Sequence, residues 1–147
     1  IAGYPVVDVT VRLTDGKFHD VDSDEHSFKI AGARAFREAF AKAHAVILEP
    51  LLDMEVATPS RFMGAITSDL NGRRGHITGT RGLAGAMTIE SQVPLAELEG
   101  YSARLKSMTQ GRGAWTMSLS HYEQAPPNLQ QQLATEHKSK GKVEEEE

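Results

Sequence analysis

Between Leu51 and Glu123 the apolar residues switch repeatedly between strand and helix spacing, and the order of those switches leaves few folds open. Leu52, Met54 and Val56 alternate with Asp53 and Glu55, the two-residue period of a strand with one buried face. Thr58-Pro59 then reads as an N-cap followed by a proline at the first helical position. Phe62 or Met63, Ile66 and Leu70 continue at helical spacing and stop at Asn71-Gly72. Residues 75–82 and 86–93 read as two strands joined through the glycine-rich stretch Gly79 to Gly85. In the second of them Met87, Ile89, Ser91 and Val93 oppose Thr88, Glu90 and Gln92. A helix over 95–109 carries Leu95, Leu98, Tyr101, Leu105 and Met108, and a last strand sets Trp115, Met117 and Leu119 on one face. The order β-α-β-β-α-β predicts an α+β, ferredoxin-like sandwich, with both helices covering one face of a four-stranded antiparallel sheet.

The flanks divide the chain into 1–50, 51–124 and 125–147. In the first segment Val7, Val9, Val11 and Leu13 alternate with Asp8, Thr10, Arg12 and Thr14, which predicts a half-buried strand ending at the Asp15-Gly16 turn. The acidic stretch from Asp20 to Glu25 suits a helix start, where carboxylates meet unpaired amides. That helix runs from about Glu25 to His44, with Phe28, Ala35 or Phe36, Ala39 or Phe40, and Ala43 along one stripe. Glu49-Pro50 marks a junction. Beyond Glu123 a short helix over 128–136, capped by Asn128, leads into a polar, solvated tail ending in Glu144–Glu147.

Composition excludes several classes. No apolar run is long enough for a membrane span. The chain holds no cysteine, which rules out disulfides and thiolate zinc sites and fits a cytoplasmic location. The net charge of −4 splits as −2, 0 and −2 over the three segments, so nucleic acid is not held by bulk charge and any RNA contact must use local clusters. The opening Ile1-Ala2-Gly3-Tyr4 has neither an initiator Met nor a charged-then-apolar leader, and reads as an excised or processed piece.

Catalytic patterns fail one after another. Gly16-Lys17 lacks the upstream glycine and following hydroxyl residue of a P-loop, and Gly79, Gly82 and Gly85 have neither the spacing nor the strand-to-helix context of a dinucleotide fingerprint. Counting a calcium loop from Asp20 puts Glu25 and Ala31 where Gly and Glu are needed. His19 and His26 beside these acids suggest a metal cluster less readily than a solvated helix start. Ser118 or Ser120 with His121 and an Asp resembles a triad only on paper; alternation puts His121 with Trp115 and Leu119 as a packed strand histidine. Acylphosphatases share the topology, but Ala57-Thr58-Pro59-Ser60-Arg61 does not match their phosphate loop. A regulatory domain that dimerises through its open sheet face is a further alternative. No catalytic or metal residue is assigned.

Two basic clusters remain. Arg73, Arg74 and His76 follow the first helix, with Arg81 at the exit of the next strand; Arg104, Lys106, Gln110 and Arg112 belong to the second helix and its loop. Such positions suit phosphate contacts beside close-approaching glycine backbone, and equally suit complementation of a helix C-terminal dipole.

Longer blocks add a resemblance. Tyr4-Pro5-Val6-Val7-Asp8-Val9, Asp15 to Ser23 and Phe28-Lys29-Ile30-Ala31-Gly32 resemble the later part of domain IV of bacterial elongation factor G, and Leu48-Glu49-Pro50 resembles its junction into domain V. Asp69 to Gly75, Val93 to Glu97, Gly100-Tyr101, Thr109 to Gly113 and His121-Tyr122-Glu123 are similar to domain V itself. The resemblance implies a partial α/β domain ahead of the ferredoxin-like one. It further implies a non-catalytic, ribosome-contacting piece of a translational GTPase, whose GTP and Mg2+ sit in amino-terminal domains. Gly16, Lys17, His19, Asp20 and Asp22 match the family's decoding-centre tip loop. Arg73, Arg74, Arg81, Arg104, Lys106, Gln110 and Arg112 become candidates for ribosomal RNA contact. Implied partners are ribosomal RNA, the tRNA–mRNA complex, the stalk base and, for a paralogue specialised in recycling, ribosome recycling factor; self-association of the isolated piece is also expected. The chain departs from the family pattern at Ile77 to Gly82, and at Met108, where a Lys usually precedes Thr-Gln-Gly.

Overall fold

Strand β1 (Leu48–Pro59) organises the larger of two compact units, Leu48–Ala125; the other comprises Ile1–Ile47 and Pro126–Glu147. The computed structural model describes residues 2–21 and 23–144. After β1 come a 3-10 turn (Ser60–Phe62), α2 (Met63–Gly72), β2 (His76–Leu83), β3 (Ala86–Pro94), a second 3-10 turn (Leu95–Leu98), α3 (Tyr101–Thr109) and β4 (Ala114–Gln124). The sheet order is β2-β3-β1-β4 with every neighbour antiparallel, which is the expected ferredoxin-like α+β arrangement.

Period-two burial holds through the sheet centre. Leu52, Met54, Val56 and Thr58 on β1 are buried while Asp53, Glu55 and Ala57 are exposed. On β3 Ile89, Ser91 and Val93 are buried, as is Pro94 at its end. These side chains meet Ile66 and Leu70 of α2, and Leu98, Tyr101 and Leu105, to form one core, with Trp115 packed edge-on to Tyr101 at 5.2 Å. A T-shaped ring pair adds stability beyond its buried area.

Four local expectations are corrected. Thr58 and Pro59 do not cap α2; both belong to β1, where Thr58 is buried, and the chain enters the helix through the 3-10 turn. The helix expected over 95–109 is interrupted, because Gly100 takes φ +68 and starts α3 afresh at Tyr101. The link between β2 and β3 is only Ala84-Gly85, whose φ values of +49 and +83 fit a tight type I′ hairpin. His121 is no packed strand histidine. Ser120 lies in a bulge of β4 opposite the Leu51/Leu52 step. One extra residue reverses the alternation beyond it, and Met117 and Leu119 ahead of it are already more than half exposed on this edge strand; His121 lies 43 % exposed beside Glu123.

In the other unit, α1 (Glu25–Lys42) starts as the acidic stretch predicts: Asp24 Oδ1 accepts from the Ser27 amide at 2.7 Å. Residues 6–14 are not a strand. A strand exists through its hydrogen-bonded neighbour, none is present among the described residues, and Val7, Val9, Val11 and Leu13 are 50–89 % exposed. Asp8 at φ +54 also breaks the extension. The Phe28, Phe36 and Phe40 stripe has no buried member, although Phe36 and Phe40 stack at 5.8 Å. The short helix expected at 128–136 is instead α4, Pro127–Glu144, so helix replaces most of the expected tail; Glu145 to Glu147 lie outside the described residues.

Candidate functional site

Strand directions fix where each basic residue sits. Pro59 pairs with Ala86 and Ala57 with Ala114, so the connections 59–62, 83–86 and 109–114 gather at one end of the sheet. The Ser60 amide donates to the Gly85 carbonyl at 3.0 Å and ties two of them together. At the opposite end Leu48 pairs with Gln124 and Leu51 with Pro94, which brings β1's start, the α2–β2 turn and the second 3-10 turn together.

That second end is held by two arginines. Arg74 occupies the left-handed position after α2 at φ +56. Its Nη1 and Nη2 donate to Glu49 Oε1 and Oε2 at 2.7 and 2.9 Å, and its Nε donates to Glu97 Oε1 at 2.8 Å. The bidentate bond to Glu49 raises its pKa above the ordinary guanidinium range. Arg73 donates from Nε to Asp69 Oδ2 at 2.9 Å, and from Nη1 to the Glu97 carbonyl and, at 3.2 Å, to that of Glu99. Its guanidinium also lies over the Tyr101 ring, 5.3 Å from the centroid. Tyr101 is fully buried, and burial followed by the charge of Asp69 pushes its phenol up to about 12.

Two more arginines are also ion-paired. Arg81, on the open sheet face, pairs with Glu55 at 3.1 Å and Glu90 at 2.6 Å. Arg104 shares Asp69 with Arg73, donating from Nε to Oδ1 at 3.0 Å. Arg73 and Arg104 both line an open groove of about 570 Å³ between α2 and α3, with Ser68, Gly72 and Met108. Arg104 remains more than half exposed, so one carboxylate faces two cations and the groove keeps a positive excess.

Lys106 and Arg112 differ from these four. Both are exposed, and neither has an acidic partner among the described residues. They flank the end of α3, where Gln110 and Gly111 take φ +54 and +77 and the Gly111 amide closes onto the Lys106 carbonyl at 2.8 Å. Gln110 is exposed beside them. Sequence spacing puts all seven candidates in one class; ion pairing separates structural arginines from available cations. Arg61, which sequence spacing does not single out, is a third exposed cation, at the same end as Arg112 and 4.6 Å over the Phe62 ring.

Of the tip-loop candidates, His19 and Asp20 stand at a turn ahead of α1. The His19 amide donates to Ser23 Oγ at 2.7 Å and the Ser23 amide to the His19 carbonyl at 3.1 Å; Gly16, Lys17, His19 and Asp20 are exposed, and Asp22 lies outside the described residues. Among the described residues no cluster of three or more His, Cys, Asp or Glu can hold a metal ion.

Ser120 and His121 do come together: Ser120 Oγ is 3.0 Å from His121 Nδ1, and His121 Nε2 is 2.8 Å from Glu123 Oε1. Yet His121 and Glu123 are open to solvent, and Ser120 Oγ accepts from Gln92 at 3.3 Å. Oxyanion chemistry draws its strength from a water-excluded site, which this exposed strand does not offer.

Comparison with known proteins places these features in context. A family model described as elongation factor G, domain IV matches residues 1–44, and one described as elongation factor G C-terminus matches residues 46–133. A crystal structure of a protein from Thermus thermophilus is similar over 85 % of this chain, at 38 % identity and TM-score 0.73; the chain spans 19 % of that protein's length. Among the described residues no helix is long and apolar enough to cross a membrane.

Proposed function

Since the chain belongs to the elongation factor G family, we propose that it is the ribosome-contacting end of a translational GTPase that promotes tRNA–mRNA translocation in the cytoplasm. GTP and Mg2+ then act in the parent protein's other domains, and this part contributes binding and positioning. The large ribosomal subunit is met by the outer side of α3 and the loop after it, through Lys106, Gln110 and Arg112, with Arg104 at the groove. The observation that carries the assignment is their availability: Lys106 and Arg112 have no acidic partner among the described residues, whereas Arg73, Arg74 and Arg81 are engaged internally. Structured RNA is read largely by shape and phosphate, which suits a few free cations on a domain of zero net charge. The loop from Gly16 to Ser23 meets the decoding centre, with α1 behind it as a stiff support.

The test is a single-round translocation assay on the complete protein. Lys106→Glu with Arg112→Glu should slow translocation at least tenfold without loss of thermal stability. Unchanged translocation would overturn the assignment of this surface. Normal translocation with impaired splitting of post-termination ribosomes would move the parent to a recycling role.

A further inference from the structure

At the end of the sheet where the connections 59–62, 83–86 and 109–114 gather, one arginine is held by a ring and not by a carboxylate. Arg61 stands in the 3-10 turn Ser60–Phe62, exposed, with its Cζ 4.6 Å from the centroid of the Phe62 ring. Phe62 is half-buried and packs against the core, so the ring is a fixed support. The turn is fixed as well, since the Ser60 amide donates to the Gly85 carbonyl of the β2–β3 hairpin at 3.0 Å. Arg61 has no acidic partner among the described residues, unlike Arg73, Arg74, Arg81 and Arg104. A guanidinium attracted to an aromatic face keeps its charge and leaves its other side to solvent. Leu83, largely exposed at the same hairpin, adds apolar surface to this end.

We propose that Arg61, backed by Phe62, is a stacking platform for one unpaired base of ribosomal RNA, while Arg112 at the same end holds a phosphate. The proposal rests on the ribosome-contacting role above and adds a contact of a different kind from those of Lys106 and Arg112. RNA outside its helices is commonly recognised by laying splayed bases on aromatic rings or guanidinium planes. A guanidinium serves this better than an ammonium, because it is planar and more weakly hydrated. Residues 51–124 carry no net charge, so part of the affinity has to come from contacts other than phosphate neutralisation.

Binding of the full chain to isolated large ribosomal subunits, measured over a range of salt, separates a stacking plane from a point charge. Arg61→Lys keeps the charge and loses the plane; it should weaken binding about fivefold or more and leave the salt slope unchanged. Arg61→Trp keeps a plane and loses the charge, and should bind within about twofold of the unaltered chain. The reverse pattern, with binding kept by Lys, lost by Trp and the slope lowered by about one, would make Arg61 a phosphate contact and overturn the platform. Unchanged binding in both variants would overturn it as well. Lys106→Gln with Arg112→Gln in the same assay reports on the underlying role. Weaker binding there beside inert Arg61 variants removes the platform alone, and no effect from any of them removes both. Arg61 is exposed, so an unchanged thermal midpoint verifies that each variant is folded.

Discussion

Removing Arg74 separates the two roles that arginines play in this molecule. The Glu49 side chain is 11 % exposed and receives two guanidinium hydrogen bonds, and Glu97 receives a third. Breaking a fully buried pair costs about 3–5 kcal/mol because a charge is left uncompensated. The Arg74 side chain is 34 % exposed, so water screens part of that loss, and Arg74→Ala should cost about 2–3 kcal/mol. For a unit of this size the thermal midpoint then falls by roughly 10–20 °C. The backbone adds an internal control. Position 74 has φ +56, which disfavours any residue with a Cβ by about 1–2 kcal/mol, so Arg74→Gly should be less harmful than Arg74→Ala by about 1 kcal/mol. Linkage fixes the pH behaviour. The folded-state pKa is raised, so this stabilisation is complete below the ordinary guanidinium range, is lost only above it, and is constant over physiological pH. Urea denaturation of both variants is the assay. An Arg74→Ala protein within about 0.5 kcal/mol of the unaltered chain would refute the latch, and equal losses for Ala and Gly would refute the backbone argument.

Three further outcomes follow from the same geometry. Gly75→Ala would put a Cβ 2.6 Å from the Leu70 carbonyl oxygen and 3.1 Å from Val93 Cγ2, and should cost about 2 kcal/mol or more in denaturant unfolding. The buried Tyr101 hydroxyl has no hydrogen-bond partner among the described residues and its phenol is pushed up to about 12. Stability linked to it is therefore full below pH 10 and lost as pH rises through 12, and Tyr101→Phe should abolish that loss in ultraviolet-monitored titration while leaving neutral-pH stability equal or higher. Asp24 is held below its ordinary 3.8 by hydrogen bonds from Ser27, so its capping contribution is present above pH 3.8 and lost as pH falls below it. Exchange of the Ser27 amide should accelerate in acid, relative to its intrinsic rate, and Asp24→Ala should remove the effect.

The ferredoxin-like unit was legible because each strand and helix announces its own period. Met54, Val56, Ile66, Leu70, Ile89 and Val93 all stand in the core that alternation and helical spacing assign them. Legibility failed where a single residue resets the pattern. A bulge at Ser120 turns His121 outward, and Gly100 splits a helix that apolar spacing alone runs straight through. It failed too where structure depends on distant partners: residues 6–14 carry strand alternation without a strand beside them, and α4 is ordered by contacts 83 positions away or more. The site was legible in residue type but not in role. Arg74 and Arg112 look alike in sequence, and only the carboxylates of Glu49 and Glu97, far off along the chain, distinguish them.

The separation of latched from available cations is tested most directly by the salt dependence of binding to isolated large ribosomal subunits. Each cation that neutralises an RNA phosphate contributes roughly one unit to the slope of log affinity against log salt. Lys106→Gln with Arg112→Gln should lower that slope by about two, whereas Arg81→Gln, whose charge is spent on Glu55 and Glu90, should leave it unchanged. A slope unaffected by the first pair, or lowered equally by Arg81→Gln, would contradict the account.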